Sequence, residues 1–241
     1  MDTSSALTRH KRVLISTAHG DDLEMHFSGA AQAIQEQGGD VCSIIATDGD
    51  ATTVNYTVFD FVDANDIAIR RRRESEASHQ LQGIPDHYLA LPDGELASGY
   101  VSMIAHALRV AVLAHDISAI VTFSPENGYC GHSDHRAMGR AALLAQKALV
   151  EDQSLDLFFI NAGHEGPVRV LVNAQYKLKL LAVHETQMDI RKQDDGTYEP
   201  DKEFWNEREM QKYHPLLDEE TYDRLLLPRR VYGESVPTTL S

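Results

Sequence analysis

Val13-Leu14-Ile15-Ser16-Thr17-Ala18-His19-Gly20-Asp21-Asp22-Leu23-Glu24 is the stretch on which the reading of this chain turns. Residues 13–17 are a short apolar, β-branched run of the kind that forms a buried strand, and it gives way at once to a histidine and three acids. Residues 28–37 follow with helical spacing and stop at Gly38-Gly39, a natural helix end. The stretch therefore reads as strand, loop, helix, with the polar residues in the loop.

The unit recurs along the chain. Strands are expected over 41–47, 87–91, 119–124, 155–160 and 168–172, and helices over 67–82, 101–114, 132–150 and from 173 to about 186. Strands alternating with helices of this length imply βαβ units, hence a Rossmann-like α/β fold with a mostly parallel sheet and helices on both faces. In such sheets ligands bind beyond the carboxyl ends of the strands. Residues 19–22, 48–50, 92–94 and 125–135 each follow a strand, so every segment with chemical interest falls on one edge. A single domain over 1–241 is expected, with a core of about 12–190 and a polar C-terminal extension of about 187–241. Within that extension 193–196 reads as a turn, 204–213 as a short helix and 225–231 as a late strand or a packing segment. No repeat or low-complexity stretch interrupts it.

A formal charge of −15 argues against nucleic acid as a partner, since phosphate binding relies on clustered cations and the one basic run is Arg70 to Arg73. That run reads as a solvated helix face paired with Glu74 and Glu76. Residues 1–12 lack the apolar core of a secretory signal, and no segment reaches the roughly 20 apolar residues of a membrane span. Cys42 and Cys130 make no disulfide framework. The expectation is a cytoplasmic protein that binds neither membrane nor nucleic acid.

A second acidic, histidine-bearing segment, Gly131-His132-Ser133-Asp134-His135, follows the fourth strand. A catalytic zinc takes three protein ligands and keeps a fourth position for water. His19, Asp22 and His135 meet that count, which leaves Asp21 and His132 for proton transfer. Each motif alone has a plainer explanation: a solvated acidic loop, or Ser133 or Asp134 capping a helix beside exposed histidines. Cys130 has ligand chemistry but is superfluous beside a complete set. Asp48 and Asp50 suit substrate contact and turn amides equally well. His79, His87, His106, His115 and His164 show no partner pattern.

Together these segments resemble the PIG-L/LmbE family of zinc-dependent N-deacetylases, which includes the deacetylases of mycothiol and bacillithiol biosynthesis and the GPI-precursor enzyme. The resemblance covers roughly residues 12–190. The family's His-Pro-Asp-Asp-x-Glu is matched by His19 to Glu24 and its His-Pro-Asp-His by His132 to His135, both without proline. Thr47 to Asp50, Arg71 to Glu74, Gln82-Gly83-Ile84 and His184-Glu185-Thr186-Gln187 match its lesser motifs. The resemblance implies Zn2+ on His19, Asp22 and His135, although the ligand set also admits iron or cobalt. It implies Asp21 as general base, His132 as the group that stabilises the oxyanion or protonates the amine, and Asp134 as the partner that orients His132 and keeps it charged. Arg71 and Asp93 match positions that face the sugar or its aglycone. His26 departs from relatives with a small residue there, and suits either a pocket wall or the surface. The expected reaction is removal of an acetyl group from the nitrogen of an amino sugar or related metabolite. The rivals are an amidase acting on a larger conjugate or antibiotic precursor, and a non-catalytic metal- or sugar-binding protein. Trimers and hexamers occur among relatives, so a homo-oligomer is compatible with the sequence.

Overall fold

The run 13–17 lies within strand β1 (Arg12–Thr17), in which every residue after Arg12 is buried. A strand covered on both faces needs an unbroken apolar run rather than an alternating one, and Val13-Leu14-Ile15 supplies it. The computed structural model describes residues 5–51, 64–149, 154–160, 168–188, 190–200 and 221–225. Its further strands are β2 (Asp40–Thr47), β3 (Asp86–Leu91), β4 (Ala119–Phe123), β5 (Asp156–Ile160), β6 (Val168–Val172), β7 (Ile190–Lys192), β8 (Tyr198–Pro200) and β9 (Thr221–Leu225). Its helices are α1 (Ser5–Thr8), α2 (Ser28–Glu36), α3 (Ala64–Gln82), α4 (Leu96–Gly99), α5 (Val101–His115), α6 (Gly128–Gly131), α7 (Ser133–Lys147) and α8 (Ala174–Leu181).

Among the described residues seven strands form one sheet in the order β3-β2-β1-β4-β5-β9-β6. The first five are parallel; Val13 stands opposite Val41 on one side and Ala119 on the other. β9 runs antiparallel between β5 and β6, and β7 and β8 form a separate hairpin around the expected turn at 193–196. The Rossmann-like α/β expectation holds. β4 and β5 are buried throughout, whereas the edge strand β3 is only partly covered.

The chain steps outward from β1 through β2 to β3, then returns to place β4 on the other flank of β1. Right-handed crossovers then put α2 and α3 on one face and α5 and α7 on the other. α5 packs on α7, which spans β1, β4 and β5. Because the connections after β1 and β4 diverge to opposite faces, a crevice opens between their carboxyl ends. The polar loops meet there.

Several local features depart from the sequence reading. Residues Leu23–Phe27 form a π-helical turn ahead of α2, and it buries Glu24 and His26. α8 ends at Leu181, and the chain then turns through 184–187 where helix is expected to about 186. β9 stops at Leu225, the first residue of the strand expected over 225–231; residues 226–231 and the helix expected over 204–213 lie outside the described residues. No helix among those described is long and apolar enough to cross a membrane.

Candidate metal centre

After β1 the chain doubles back, with the Asp22 amide donating to the His19 carbonyl at 3.4 Å. The turn folds the Asp22 carboxylate under its own loop, where Oδ2 accepts the amides of Ala18 at 3.0 Å and His19 at 2.8 Å. Burial opposes its ionisation, yet His135 and His19 hold the carboxyl well below the usual range. Gly20 presses against α3: Ser75 Oγ donates to its carbonyl at 2.8 Å, and a Cβ on Gly20 would stand 3.0 Å from Ser75 Cβ. The missing proline of the first motif coincides with this close approach.

The second motif opens α7. His132 caps the helix, its Nδ1 accepting the Asp134 amide at 3.3 Å, and its exposed ring stacks on His135 at 4.5 Å. His135 Nδ1 lies 2.9 Å from the Gly128 carbonyl oxygen, which can only accept, so this nitrogen carries a proton and Nε2 is the one turned inward. Nε2 stands 3.2 Å from Asp22 Oδ1 and 3.3 Å from His19 Nδ1. His19 Nε2 lies 3.1 Å from Asp93 Oδ1 and 3.8 Å from Asp134 Oδ2, and its Nδ1 faces Asp22 Oδ2 at 3.4 Å. Phe123 stacks flat on His135, with centroids 3.7 Å apart.

This arrangement tests directly whether a cation belongs here. Asp93 and the Gly128 carbonyl occupy the outer nitrogens of His19 and His135, so with neutral rings the inner nitrogens turn their lone pairs toward each other and toward Asp22. Lone pairs at that distance repel unless something positive lies among them. A proton satisfies the gap in part. Burial resists a charge on His19, but Asp22, Asp134 and Asp93 outweigh it and hold its pKa well above the ordinary value. A divalent metal satisfies all three donors at once, and outer partners that fix histidine tautomers are the usual support of such sites. The donor set fits the metal that the resemblance implies. Ligand atoms of His19, His132 and His135 also lie within 4.8 Å of one another, as do those of His19, Asp93 and Asp134. We favour Asp22 over those alternatives because both its oxygens face the inner nitrogens, whereas Asp93 and Asp134 stand at the outer nitrogen of His19.

Asp21 lies beside this cluster. Burial and the Asp22 charge push its carboxyl above the usual range, against the pull of His184, His19 and Arg71. Gln187 Nε2 donates to Asp21 Oδ2 at 2.8 Å. Arg71 is buried on α3 and donates to the Gly49 carbonyl, with the charges of Asp21, Asp93, Glu74 and Asp50 acting on it.

Several side chains sit differently from the sequence expectation. Asp93 is expected to face a sugar, but its carboxylate contacts His19 and accepts the Ala51 amide at 2.8 Å. Asp134 is expected to orient His132, but it accepts the amides of Gly94 at 2.7 Å and Leu96 at 3.1 Å and turns toward His19; only its backbone amide reaches His132. Burial and the neighbouring His135 and His19 lower the His132 pKa, and the raising influence of Asp134 is weaker. His132 is therefore not held charged in the way the sequence reading expects. His26 is buried against Tyr129 at 4.4 Å and Phe123 at 5.4 Å, and burial pushes its pKa down to about 3, so it is a neutral wall behind His135. Asp48 pairs with Arg72 at 3.3 Å, and Arg72 also covers the Tyr88 ring. The side chain of Cys130 and all of His164 lie outside the described residues.

A buried polar layer under the site carries no role in the sequence reading. Glu24 accepts from Ser78 Oγ and Gln82 Nε2, both at 2.8 Å, and its two oxygens stand 3.6 Å from His79 Nε2 and 3.3 Å from His184 Nε2. His79 also meets Asp86 at 3.1 Å. Thr186 binds Glu74 through its amide at 2.9 Å and its hydroxyl at 2.5 Å. The available signal is Glu24 itself, an acid two residues past Asp22 in a segment too rich in carboxylates for all of them to share one cation.

Residues 14–146 match the family described as PIG-L, GlcNAc-PI de-N-acetylase. The chain belongs to the PIG-L family. The matched segment runs from β1 through most of α7 and contains both motifs. A diacetylchitobiose deacetylase from Thermococcus kodakarensis is 27% identical over 130 residues, 54% of this chain and 46% of that one, so the chain spans about half the length of the relative. The diacetylchitobiose deacetylase structure from Pyrococcus horikoshii, in complex with an inhibitor, superposes with a TM-score of 0.69 at 20% identity, covering 90% of this chain and 79% of that one. The zinc-inhibited form of the teicoplanin deacetylase Orf2 gives 0.60 at 16%, covering 90% and 97%. At these identities the structural likenesses speak for the PIG-L fold alone.

Proposed function

We propose that this PIG-L protein is a metal-dependent hydrolase that removes an acetyl group from the nitrogen of an N-acetylated amino sugar or a related sugar-like metabolite. The observation that carries the proposal is the inward convergence of His19 Nδ1, His135 Nε2 and Asp22, with Asp21 alongside. His19, Asp22 and His135 would hold the metal. Bound there, zinc would polarise the substrate's amide carbonyl and acidify a water. Asp21, beside the cluster, would take a proton from that water and return it to the departing amine. His132, exposed beside the cluster with its Nδ1 accepting the Asp134 amide, would donate from Nε2 to the carbonyl oxygen. Asp93 and Gly128 fix the rings that carry the ligand nitrogens, and Arg71 holds the Gly49 turn on the wall of the crevice. The sugar-like substrate class follows the activity named for the relative and for both structural neighbours.

Elemental analysis of the wild-type chain and His135→Ala tests the metal, with one zinc per chain expected in the first and none in the second. Asp21→Asn tests the base. It should retain zinc and lose acetate release from N-acetyl amino sugars by about 10²- to 10⁴-fold. Retained zinc and an unaltered sugar affinity in a wild-type chain that releases no acetate would favour a binding protein instead. A panel extended to acylated glycopeptides would separate small sugars from larger conjugates.

A further inference from the structure

We infer that Gln187 is the positioning residue of the base, and that the turn carrying it belongs to the catalytic apparatus although it lies beyond the matched segment 14–146. The inference rests on the proposed role of Asp21. Gln187 Nε2 donates to Asp21 Oδ2 at 2.8 Å, from a side chain 166 residues away in sequence. An amide nitrogen can only donate. It therefore holds one carboxylate oxygen as a permanent acceptor and leaves Oδ1 as the oxygen that collects a proton. A carboxylate on a short side chain can otherwise rotate and offer either oxygen, and base catalysis is sensitive to misplacement on the scale of one ångström.

The donor is itself held rigidly. The Gln187 amide donates to the His184 carbonyl at 2.9 Å and the Met188 amide to the same oxygen at 2.8 Å, closing a tight turn. Thr186 clasps Glu74 on α3 through two bonds, and the His184 ring is buried 3.3 Å from Glu24 on the π-helical turn. Two independent anchors thus press the turn against the two elements that flank the Asp21 loop. A segment needed only to cover the core would not require both a carboxylate clasp and a buried ion pair within the three residues that precede the glutamine.

The test is Gln187→Met, which keeps length and loses the donor, with Gln187→Glu as a second variant that keeps the shape but faces Asp21 with another carboxylate. Each should lower kcat about 10- to 100-fold with KM and zinc content unchanged. In an Asp21→Asn background the same changes should alter kcat by no more than about twofold, because the residue acts only through the base. A full loss persisting in that background, or a loss confined to KM, overturns the inference. An activity-independent reading keeps it separate from the proposed function. The carboxyl-carbon NMR signal of Asp21, identified by its absence in Asp21→Asn, should move in Gln187→Met, and an unmoved signal overturns the assignment whether or not the wild-type chain releases acetate.

Discussion

Asp93 shows how much depends on where a single carboxylate points. It reaches His19 Nε2 at 3.1 Å and takes the Ala51 amide, and the carboxyl stays below its usual range despite burial because of those partners. An outer carboxylate of this kind fixes the tautomer of a ligand histidine and raises its basicity. Asp93→Asn should therefore weaken zinc binding about 10- to 100-fold in a chelator competition assay. A residue that touched only sugar would raise KM and leave zinc affinity alone. The sequence makes the residue types of this site legible, and the spacing of His19, Asp22 and His135 was enough to nominate the donors. It does not reveal side-chain direction. Asp93, Asp134 and Arg71 were each nominated, and each has partners that only the folded loops bring within reach.

At the scale of elements, the alternation of apolar runs and helical stretches located β1 to β6 and α2, α3, α5 and α7 to within a few residues, since both periodicities follow directly from backbone geometry. The π-helical turn was not legible, because a widened turn leaves no period of its own in five residues. The end of α8 escaped for a related reason: the chain leaves the helix after Leu181 and turns again where Thr186 clasps Glu74, a contact that no local pattern announces. Contact between elements also sets a close-packing limit. Gly139 on α7 lies so near the end of β4 that a Cβ there would meet Phe123 O at 2.4 Å and Pro125 N at 2.6 Å, both backbone atoms that cannot swing aside. Gly139→Ala should destabilise the fold by about 1–3 kcal/mol in urea titration. It should also weaken zinc binding, since α7 carries His135 at its first turn.

For the molecule as a whole, the buried Glu24–His184 pair gives stability a definite alkaline limb. Burial works against a charge on His184, but Glu24, Asp21 and Glu74 outweigh it and raise its pKa above the ordinary 6.5. A histidine raised on folding contributes stability that is fully present below the unfolded value and is lost as pH rises through the folded one. Chemical-denaturation stability should thus decline above about pH 6.5, and His184→Gln should be less stable at pH 6 while showing a flatter alkaline limb. The inward-facing nitrogens of His19 and His135 have a further consequence, because they stand 116 residues apart in sequence and meet only when the loop after the first strand and the helix after the fourth are both in place. An extended chain offers no such trio. Whatever cation enters the gap is consequently a ligand of the native state alone, so its free concentration shifts the folding equilibrium. Metal supply would then govern how much of this chain survives in a cell as well as how much of it turns over substrate.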